Sequence, residues 1–210
     1  MTIVLHHYAK SSASYRVRIA LNLKGVDYER RDVDLVSDDQ KSAGYRAANP
    51  QALVPMLEID GHRLNQSLAI CDYLDARFEQ PPLVPRGPAE RSHVLALALA
   101  VACEMQPLSN LRVRRYLADK LALSAEQAEA WNRHWLDDGL AALEALAAPR
   151  AGAWLFADTP SLADICLVPQ LFVARRFRVP LDPYPTLLRA EATALAHPAF
   201  TAAHPDRQES

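Results

Sequence analysis

Hydrophobic and polar positions in the first eighty residues alternate between strand-like and helix-like patterns. Short apolar or β-branched runs predict strands over Thr2–His7, Tyr28–Val33, Val54–Ile59 and His62–Leu64. Helical spacing predicts helices over Ser12–Lys24 and Ser67–Phe78, with a short helix or loop over Asp39–Ala47. Asp60-Gly61, between the last two strands, is typical of a tight hairpin. The predicted order βαβαββα is that of a thioredoxin-like α/β domain.

The composition changes at Gln80–Pro88, where nine residues contain four prolines and one glycine. Such a segment is typical of a linker, so we expect a domain boundary there. Beyond it the pattern is helical, with helices predicted over Ala89–Leu117 (broken at Pro107), Ser124–Ala147 and Ser161–Phe177. The sequence therefore predicts a thioredoxin-like domain over residues 1–80 and an all-α domain over residues 89–210.

Charge and cysteine content narrow the possible partners. The formal net charge of −2 argues against nucleic acid or an anionic membrane as the main partner. The three cysteines, Cys71, Cys103 and Cys166, form no C-x-x-C motif and are typical of reduced thiols in a cytoplasmic protein. The longest apolar run, Val94–Cys103, is too short to span a bilayer, and no secretory signal precedes the first strand.

Several polar residues are assigned to folding and not to chemistry. The seven histidines lack metal-ligand spacing, so no metal site is expected. Ser161 and Asp164 have the spacing of a helix-capping box, with Asp in the position usually held by Glu or Gln. The polar tail over residues 204–210 is expected to fray.

Serines cluster where the first predicted helix begins, at Ser11, Ser12 and Ser14. A helix start carries unpaired N–H groups and a partial positive charge, and therefore attracts anions. Hydroxyl donors at that position suit a small thiol held as its thiolate. The alternative is purely structural, because serine is a common N-cap.

Two further segments suggest a peptide ligand. A cis bond between Val54 and Pro55 would turn the backbone and leave the N–H and C=O of Val54 available to an extended peptide. Gln66-Ser67 begins the third helix and offers a second anion site. Glutathione combines a thiol, a peptide backbone and two terminal carboxylates, and so matches these features as a cofactor.

Several longer motifs resemble those of zeta-class glutathione transferases, the maleylacetoacetate isomerase family that includes maleylpyruvate isomerase. The run SSASYRVRIAL is similar to the zeta-class signature SSCSxRVRIAL, and NQSLAICDYLD and DTPSLADICLVPQL are similar to later segments of the same family. The resemblance extends from Ile3 to about Gln208. It implies a thioredoxin-like N-terminal domain, an all-α C-terminal domain and a homodimer.

The resemblance also implies a set of glutathione contacts. Ser11 is expected nearest to the sulfur, with Ser12 second. The full set of glutathione-binding residues is Ser11, Ser12, Tyr15, Arg16, Gln40, Val54, Pro55, Gln66, Ser67, Gln106 and Asn110. One position departs from the family, because Ala13 replaces its cysteine. A role that needs this protein thiol is therefore not expected, whereas chemistry on the sulfur of glutathione needs no protein thiol.

A maleyl substrate carries two carboxylates, so the family site should offer cations. The resemblance assigns substrate binding to Lys10, Arg112 and Arg176, although Lys10 stands where relatives have arginine and lacks its two-pronged geometry. The neighbouring arginines are expected to be solvated: Arg114, Arg115, Arg175 and Arg178.

The implied activity is cis–trans isomerisation of maleylacetoacetate to fumarylacetoacetate, through reversible addition of the glutathione thiolate. Within enzymes, the alternatives are maleylpyruvate isomerase and a general transferase that consumes glutathione on electrophiles. A non-catalytic glutathione-binding or scaffold protein is an alternative of another class.

Overall fold

The computed structural model describes residues 2–208, which form two compact units. The first unit contains the chain up to Leu83 and the segment from Ala196 onward, and the second contains Val84–Leu195. The boundaries predicted from sequence, 1–80 and 89–210, differ from this division at the C-terminus, because the final segment packs with the first unit. Met1, Glu209 and Ser210 lie outside the described residues.

A four-stranded sheet lies at the centre of the first unit. The predicted βαβαββα order is confirmed, and the unit has the thioredoxin-like fold. Its sheet order is β2-β1-β3-β4, with β1 parallel to β2 and antiparallel to β3, and with β3 antiparallel to β4. The elements are β1 (Val4–His7), α1 (Ser12–Leu23), β2 (Glu29–Asp32), a 3-10 turn (Asp39–Lys41), α2 (Ala43–Ala48), β3 (Met56–Ile59), β4 (His62–Asn65) and α3 (Ser67–Arg77).

The hairpin between β3 and β4 forms at the predicted Asp60-Gly61 pair. Both residues have positive φ, at 52° and 78°, which is the backbone geometry that a tight hairpin turn requires. The Asp60 carboxylate also accepts hydrogen bonds from the Tyr73 hydroxyl at 2.9 Å and from Arg77 Nε at 3.2 Å. The turn is thereby fastened to α3.

Arg18 connects three parts of the first unit. Its guanidinium is fully buried and donates from Nε to the carbonyl of Ala203 at 2.9 Å and from Nη2 to that of Ala9 at 3.0 Å. Nη1 donates to Nδ1 of His7 at 3.2 Å, and burial lowers the pKa of His7 to about 4. Every nitrogen of this arginine has an acceptor, so none of them is buried without a hydrogen bond.

The C-terminal segment is ordered as far as the structure describes it. Helix α9 (Pro198–Ala203) packs on α1, and a 3-10 turn follows at Pro205–Arg207. Gln208 is buried, accepts a hydrogen bond from Arg30 at 2.9 Å and donates one to the carbonyl of Ala202 at 2.8 Å. The expectation of a frayed tail is therefore wrong for residues 204–208, because hydrogen bonds from distant residues hold it.

The second unit is helical. The helix predicted over Ala89–Leu117 is broken near Pro107, as expected, because proline lacks the N–H that would continue the ladder. The elements are α4 (Pro88–Leu99), a π-helical segment (Ala100–Met105), α5 (Leu111–Asp119), α6 (Ala125–Ala147), α7 (Leu162–Arg176) and α8 (Pro185–Ala196). None of the described helices is long and apolar enough to cross a membrane.

Helix α7 begins with the capping box predicted at Ser161 and Asp164. One carboxylate oxygen of Asp164 accepts from the backbone N–H of Ser161 at 2.9 Å and from its hydroxyl at 3.0 Å. The other oxygen accepts from the N–H of Leu155 at 2.7 Å. Burial raises the pKa of Asp164 to about 6. The pair acts in folding, because its acceptors are used by the helix start and the preceding loop.

We expect Asp164→Ala to lower the free energy of unfolding by about 2–4 kcal/mol, because three buried donors lose their acceptor. Urea denaturation followed by circular dichroism measures the change. The control is Gln127→Ala at the exposed capping box that Ser124 and Gln127 form at the start of α6. Its expected cost is below about 1 kcal/mol. Equal costs at the two helix starts would show that burial of Asp164 contributes nothing.

Candidate functional site

The start of α1 presents several unpaired hydrogen-bond donors. Ser11 is the N-cap, and its Oγ accepts a hydrogen bond from the N–H of Ser14 at 3.2 Å, which leaves the Ser11 hydroxyl hydrogen to be donated elsewhere. Ser12 is buried, and within residues 2–208 its hydroxyl forms no hydrogen bond. The backbone N–H groups of Ser12 and Ala13 have no acceptor among the same residues. This arrangement can stabilise an anion with two hydroxyls and two amides.

The segment before β3 leaves a peptide edge unpaired. The bond between Val54 and Pro55 is cis, as the sequence suggested. The N–H and C=O of Val54 form no hydrogen bond within the described chain, although Val54 is buried. The neighbouring Leu53 carbonyl is held by the Tyr45 hydroxyl at 2.8 Å and by Nδ2 of Asn49 at 2.7 Å. Unpaired backbone groups beside a fixed loop suit an extended peptide ligand.

The start of α3 is the second predicted anion site. Gln66 is its N-cap, with φ 70° and no side-chain cap bond, and its Nε2 donates to Oε1 of Gln51 at 2.8 Å. Ser67 is buried and accepts a hydrogen bond from Nη1 of Arg16 at 3.3 Å. Because Arg16 extends from α1, this bond joins the starts of the two helices.

Two other predicted glutathione contacts in this unit have well-defined surroundings. Gln40 is buried on the 3-10 turn, and its Nε2 donates to Oδ1 of Asp38 at 3.1 Å. Tyr15 is fully buried, with its ring 5.3 Å from the Arg18 guanidinium and 6.0 Å from the His204 ring. The surroundings of Tyr15 are therefore those of a packing residue beneath the helix start.

In the second unit, Gln106 and Asn110 lie in the turn between the π-helical segment and α5. Asn110 is the N-cap of α5, and its Oδ1 accepts from the backbone N–H of Arg112 at 3.1 Å. The Gln106 carbonyl accepts from the Ser109 hydroxyl at 3.3 Å. Asn110 thus has a folding role in addition to any contact with a ligand.

The predicted substrate cations differ in their surroundings. Lys10 and Arg112 are exposed, and Lys10 immediately precedes the serine cluster. Arg176, at the end of α7, is also exposed and has no acidic partner within residues 2–208. Its neighbour Arg175, by contrast, forms a two-pronged ion pair with Glu191. Arg175 is exposed, as the sequence predicted, and it also stabilises the buried carboxylate of Glu191.

Arg114 is a further cation that the sequence reasoning assigned to solvent. Its guanidinium lies 5.4 Å from the centre of the Phe177 ring and has no acidic partner in the described chain. Burial, followed by the charges of Arg176 and Arg115, lowers the pKa of Arg114. Arginines from α5 and from the end of α7 thus share one positive region. No local motif could reveal this, because the two helices are far apart in sequence.

Comparisons with known proteins agree with these features. The glutathione S-transferase N-terminal domain model matches residues 5–82, and the C-terminal domain model matches residues 125–204. The probable maleylacetoacetate isomerase of Vibrio cholerae is 44% identical over 99% of this chain and 98% of its own. The chain belongs to the maleylacetoacetate isomerase family, the zeta class of glutathione transferases. The thioredoxin-like and all-α architecture implied by the zeta-class resemblance is thereby confirmed.

Two solved structures are similar to this chain over nearly its whole length. A holo structure of maleyl pyruvate isomerase, a bacterial zeta-class enzyme, has a TM-score of 0.96 and 40% identity, covering 99% of both chains. Maleylacetoacetate isomerase from Anaeromyxobacter dehalogenans has a TM-score of 0.90 and 43% identity, covering 100% of this chain and 97% of its own. The latter was crystallised with dicarboxyethyl glutathione and citrate in its active site.

Proposed function

We propose that this protein is a glutathione-dependent cis–trans isomerase that converts maleylacetoacetate into fumarylacetoacetate. The observation that carries the proposal is the start of α1, where the hydroxyls of Ser11 and Ser12 and two backbone amides have donors available for one anion. A close family of isomerases supports the choice of reaction. Bound glutathione supplies the thiolate that adds reversibly to the conjugated cis double bond and lets it rotate.

The donors at the start of α1 are sufficient to keep a thiol ionised. A free thiol has a pKa of about 8.5. Keeping it largely ionised at neutral pH requires that this pKa be lowered by about two units, which corresponds to roughly 3 kcal/mol. A hydroxyl bonded to an anion contributes about 1.5–3 kcal/mol, and a helix N-terminus adds about 0.3–2 kcal/mol. Ser11 and Ser12 together with the helix start therefore account for the shift.

The rest of the tripeptide is assigned to the segment before β3, to the start of α3 and to residues named from the family resemblance. Val54, next to Pro55, pairs with the peptide backbone of the ligand through its N–H and C=O. Ser67 and Gln66, at the start of α3, bind a terminal carboxylate. Further contacts are assigned to Gln40, Gln106 and Asn110, and the α1 residues Tyr15 and Arg16 lie alongside the bound tripeptide.

We assign the two carboxylates of the substrate to Arg112 and Arg176, with a weaker contribution from Lys10. Arg176 has no acidic partner in the described chain and lies near Arg114, so the region carries uncompensated positive charge. Cations that hold both ends of the substrate orient it during rotation and stabilise charge that develops on its carbonyl.

Arg176→Ala is expected to raise KM for the maleyl substrate about 10–100-fold with a smaller effect on kcat, because one charge-assisted contact is lost. Steady-state kinetics at saturating glutathione measure both constants. The matched control is Arg175→Ala, which removes the ion pair with Glu191. It is expected to reduce stability and leave KM unchanged. Equal effects of the two variants on KM would contradict the assignment.

Maleylpyruvate is the second candidate substrate, because the solved relative with a TM-score of 0.96 is a maleyl pyruvate isomerase. An absorbance assay of both substrates with less than one equivalent of glutathione tests the function. We expect turnover of maleylacetoacetate, at the higher kcat/KM, with no glutathione consumed. Faster turnover of maleylpyruvate would select the alternative. Stoichiometric loss of glutathione would indicate a transferase, and binding without turnover would indicate a binding or scaffold protein.

We also propose that the protein works as a cytoplasmic homodimer in aromatic amino acid catabolism. The near-complete resemblance to zeta-class enzymes and the three free cysteines support this placement. Light scattering should give twice the chain mass of 23.3 kDa, and a single chain mass would contradict the dimer.

A further inference from the structure

Arg16 is a buried cation for which residues 2–208 supply no compensating anion. Only 1% of its surface is exposed, and its one hydrogen bond runs from Nη1 to Oγ of Ser67 at 3.3 Å. Its Nε and Nη2 atoms are buried without an acceptor anywhere in residues 2–208. Buried arginines normally pair with carboxylates or carbonyl oxygens, because removing their charge from water is costly.

Two other buried cations at α1 do find acceptors for their nitrogens within the described chain. Lys24 lies two turns beyond Arg16, and its Nζ donates to Oδ1 of Asp75 at 2.7 Å and to two backbone carbonyls. Arg18 has an acceptor for each of its nitrogens. Among these three cations, only Arg16 has nitrogens without an acceptor in the described chain, and its one bond is made to the first residue of α3. Its missing partner is therefore expected to come from outside the chain.

The bond to Ser67 indicates where that partner binds. Because the Ser67 Oγ accepts from Arg16, the hydroxyl hydrogen of Ser67 remains to be donated to another acceptor. Ser67 is also the first residue of α3, where backbone N–H groups lack helical acceptors. A carboxylate bound there can accept hydrogen bonds from the Ser67 hydroxyl and from the backbone N–H groups of the helix start. It is also attracted by the positive charge of Arg16, which lies behind Ser67.

We propose that Arg16 is a positioning residue whose buried charge is balanced by a carboxylate of glutathione bound at Ser67. This inference rests on the proposed function, since it requires the tripeptide to bind in this unit. Arg16 acts through the hydroxyl of Ser67, which it orients and polarises. Its positive charge also attracts the carboxylate electrostatically. Glutathione has two terminal carboxylates, and the chemistry described here suits either one.

The first test compares Arg16→Met with the wild-type protein. We expect Kd for glutathione, measured by calorimetry, to rise about 10–100-fold, because the carboxylate loses a buried charge partner. Without glutathione, Tm should stay the same or rise, because an uncompensated buried charge has been removed. A loss of Tm with an unchanged Kd would overturn the inference, since a merely structural arginine behaves in that way.

Lys24→Met is the matched control, because Lys24, like Arg16, connects α1 to α3. Lys24 is fully satisfied by partners within the chain, so its removal should lower Tm and leave Kd for glutathione unchanged. Arg16→Lys keeps the charge and should retain most of the affinity, which provides a second test if Arg16→Met does not fold. Loss of affinity in Arg16→Lys as severe as in a Ser67→Ala protein would count against a role for charge.

Two glutathione analogues identify the carboxylate. One lacks the α-carboxylate of the γ-glutamyl residue, and the other carries an amide in place of the glycine carboxylate. The effect of Arg16→Met should disappear for the analogue that lacks the relevant carboxylate and persist for the other. An effect of equal size on both analogues overturns the inference. If the wild-type protein does not bind glutathione, the proposed function fails. If wild type and Arg16→Met bind it equally, only this inference fails.

Discussion

Replacing Ser11 and Ser12 together with alanine is expected to slow glutathione-dependent isomerisation at neutral pH by about 100-fold or more. Each hydroxyl bond to an anion contributes about 1.5–3 kcal/mol, and without both bonds the bound thiol should remain largely protonated. The ultraviolet absorbance of the thiolate, measured against pH in the complex, should show a higher thiol pKa in the double variant. Glutathione should still bind, because its peptide and carboxylate contacts lie elsewhere.

The single variants separate capping from chemistry. Ser11→Ala should also lower the free energy of unfolding by about 1 kcal/mol, because Ser11 is the N-cap of α1, whereas Ser12→Ala should not. The variant with the larger rise in thiol pKa identifies the hydroxyl nearest to the sulfur. Ser14→Ala is the matched control, since Ser14 belongs to the same serine cluster but is fully buried and therefore out of reach of a ligand. A double variant with unchanged thiol pKa and turnover would exclude the serine cluster from catalysis.

Arg18→Met is expected to lower the free energy of unfolding by about 3–5 kcal/mol. Arg18 is fully buried, and its removal leaves the carbonyls of Ala203 and Ala9 and the ring nitrogen of His7 without their donor. Urea denaturation at neutral pH, followed by tryptophan fluorescence and circular dichroism, measures the loss. Because Ala9 leads into the serine cluster, turnover of the folded variant should fall as well.

Arg30→Met provides the comparison for this result. Arg30 is exposed and makes one hydrogen bond to Gln208, so its removal should cost about 1 kcal/mol or less. Similar losses in the two variants would mean that the buried guanidinium does not fasten the C-terminal segment to α1.

Local sequence signals predicted the elements of both units well. The Asp60-Gly61 turn, the Pro107 break and the Ser161–Asp164 capping box each depend on residues close together in the chain, so pattern reasoning could find them. The position of the C-terminal segment could not be found in this way. It depends on Arg18 and Arg30, whose acceptors, Ala203 and Gln208, lie far along the chain, immediately before and within the predicted polar tail.

The same distinction applies to the candidate site. Helix starts and the cis proline are local features, and they identified Ser11, Ser12, Val54 and Ser67. The bond between Arg16 and Ser67 and the proximity of Arg114 to Arg176 arise only when separate helices pack together. Arg114, which the sequence predicts to be solvated, is instead partly buried beside Phe177, and no acidic residue in the described chain balances its charge.

The dependence of isomerisation on glutathione tests the origin of the reactive sulfur most directly. Cys103 is the exposed one of the three free cysteines, so the measurement uses Cys103→Ser beside the wild-type protein. Initial rates on maleylacetoacetate are followed as glutathione rises from zero to saturation. We expect no turnover at zero glutathione and equal saturating rates for the two proteins. Turnover without glutathione, or loss of the rate in Cys103→Ser, would show that the protein supplies its own thiol.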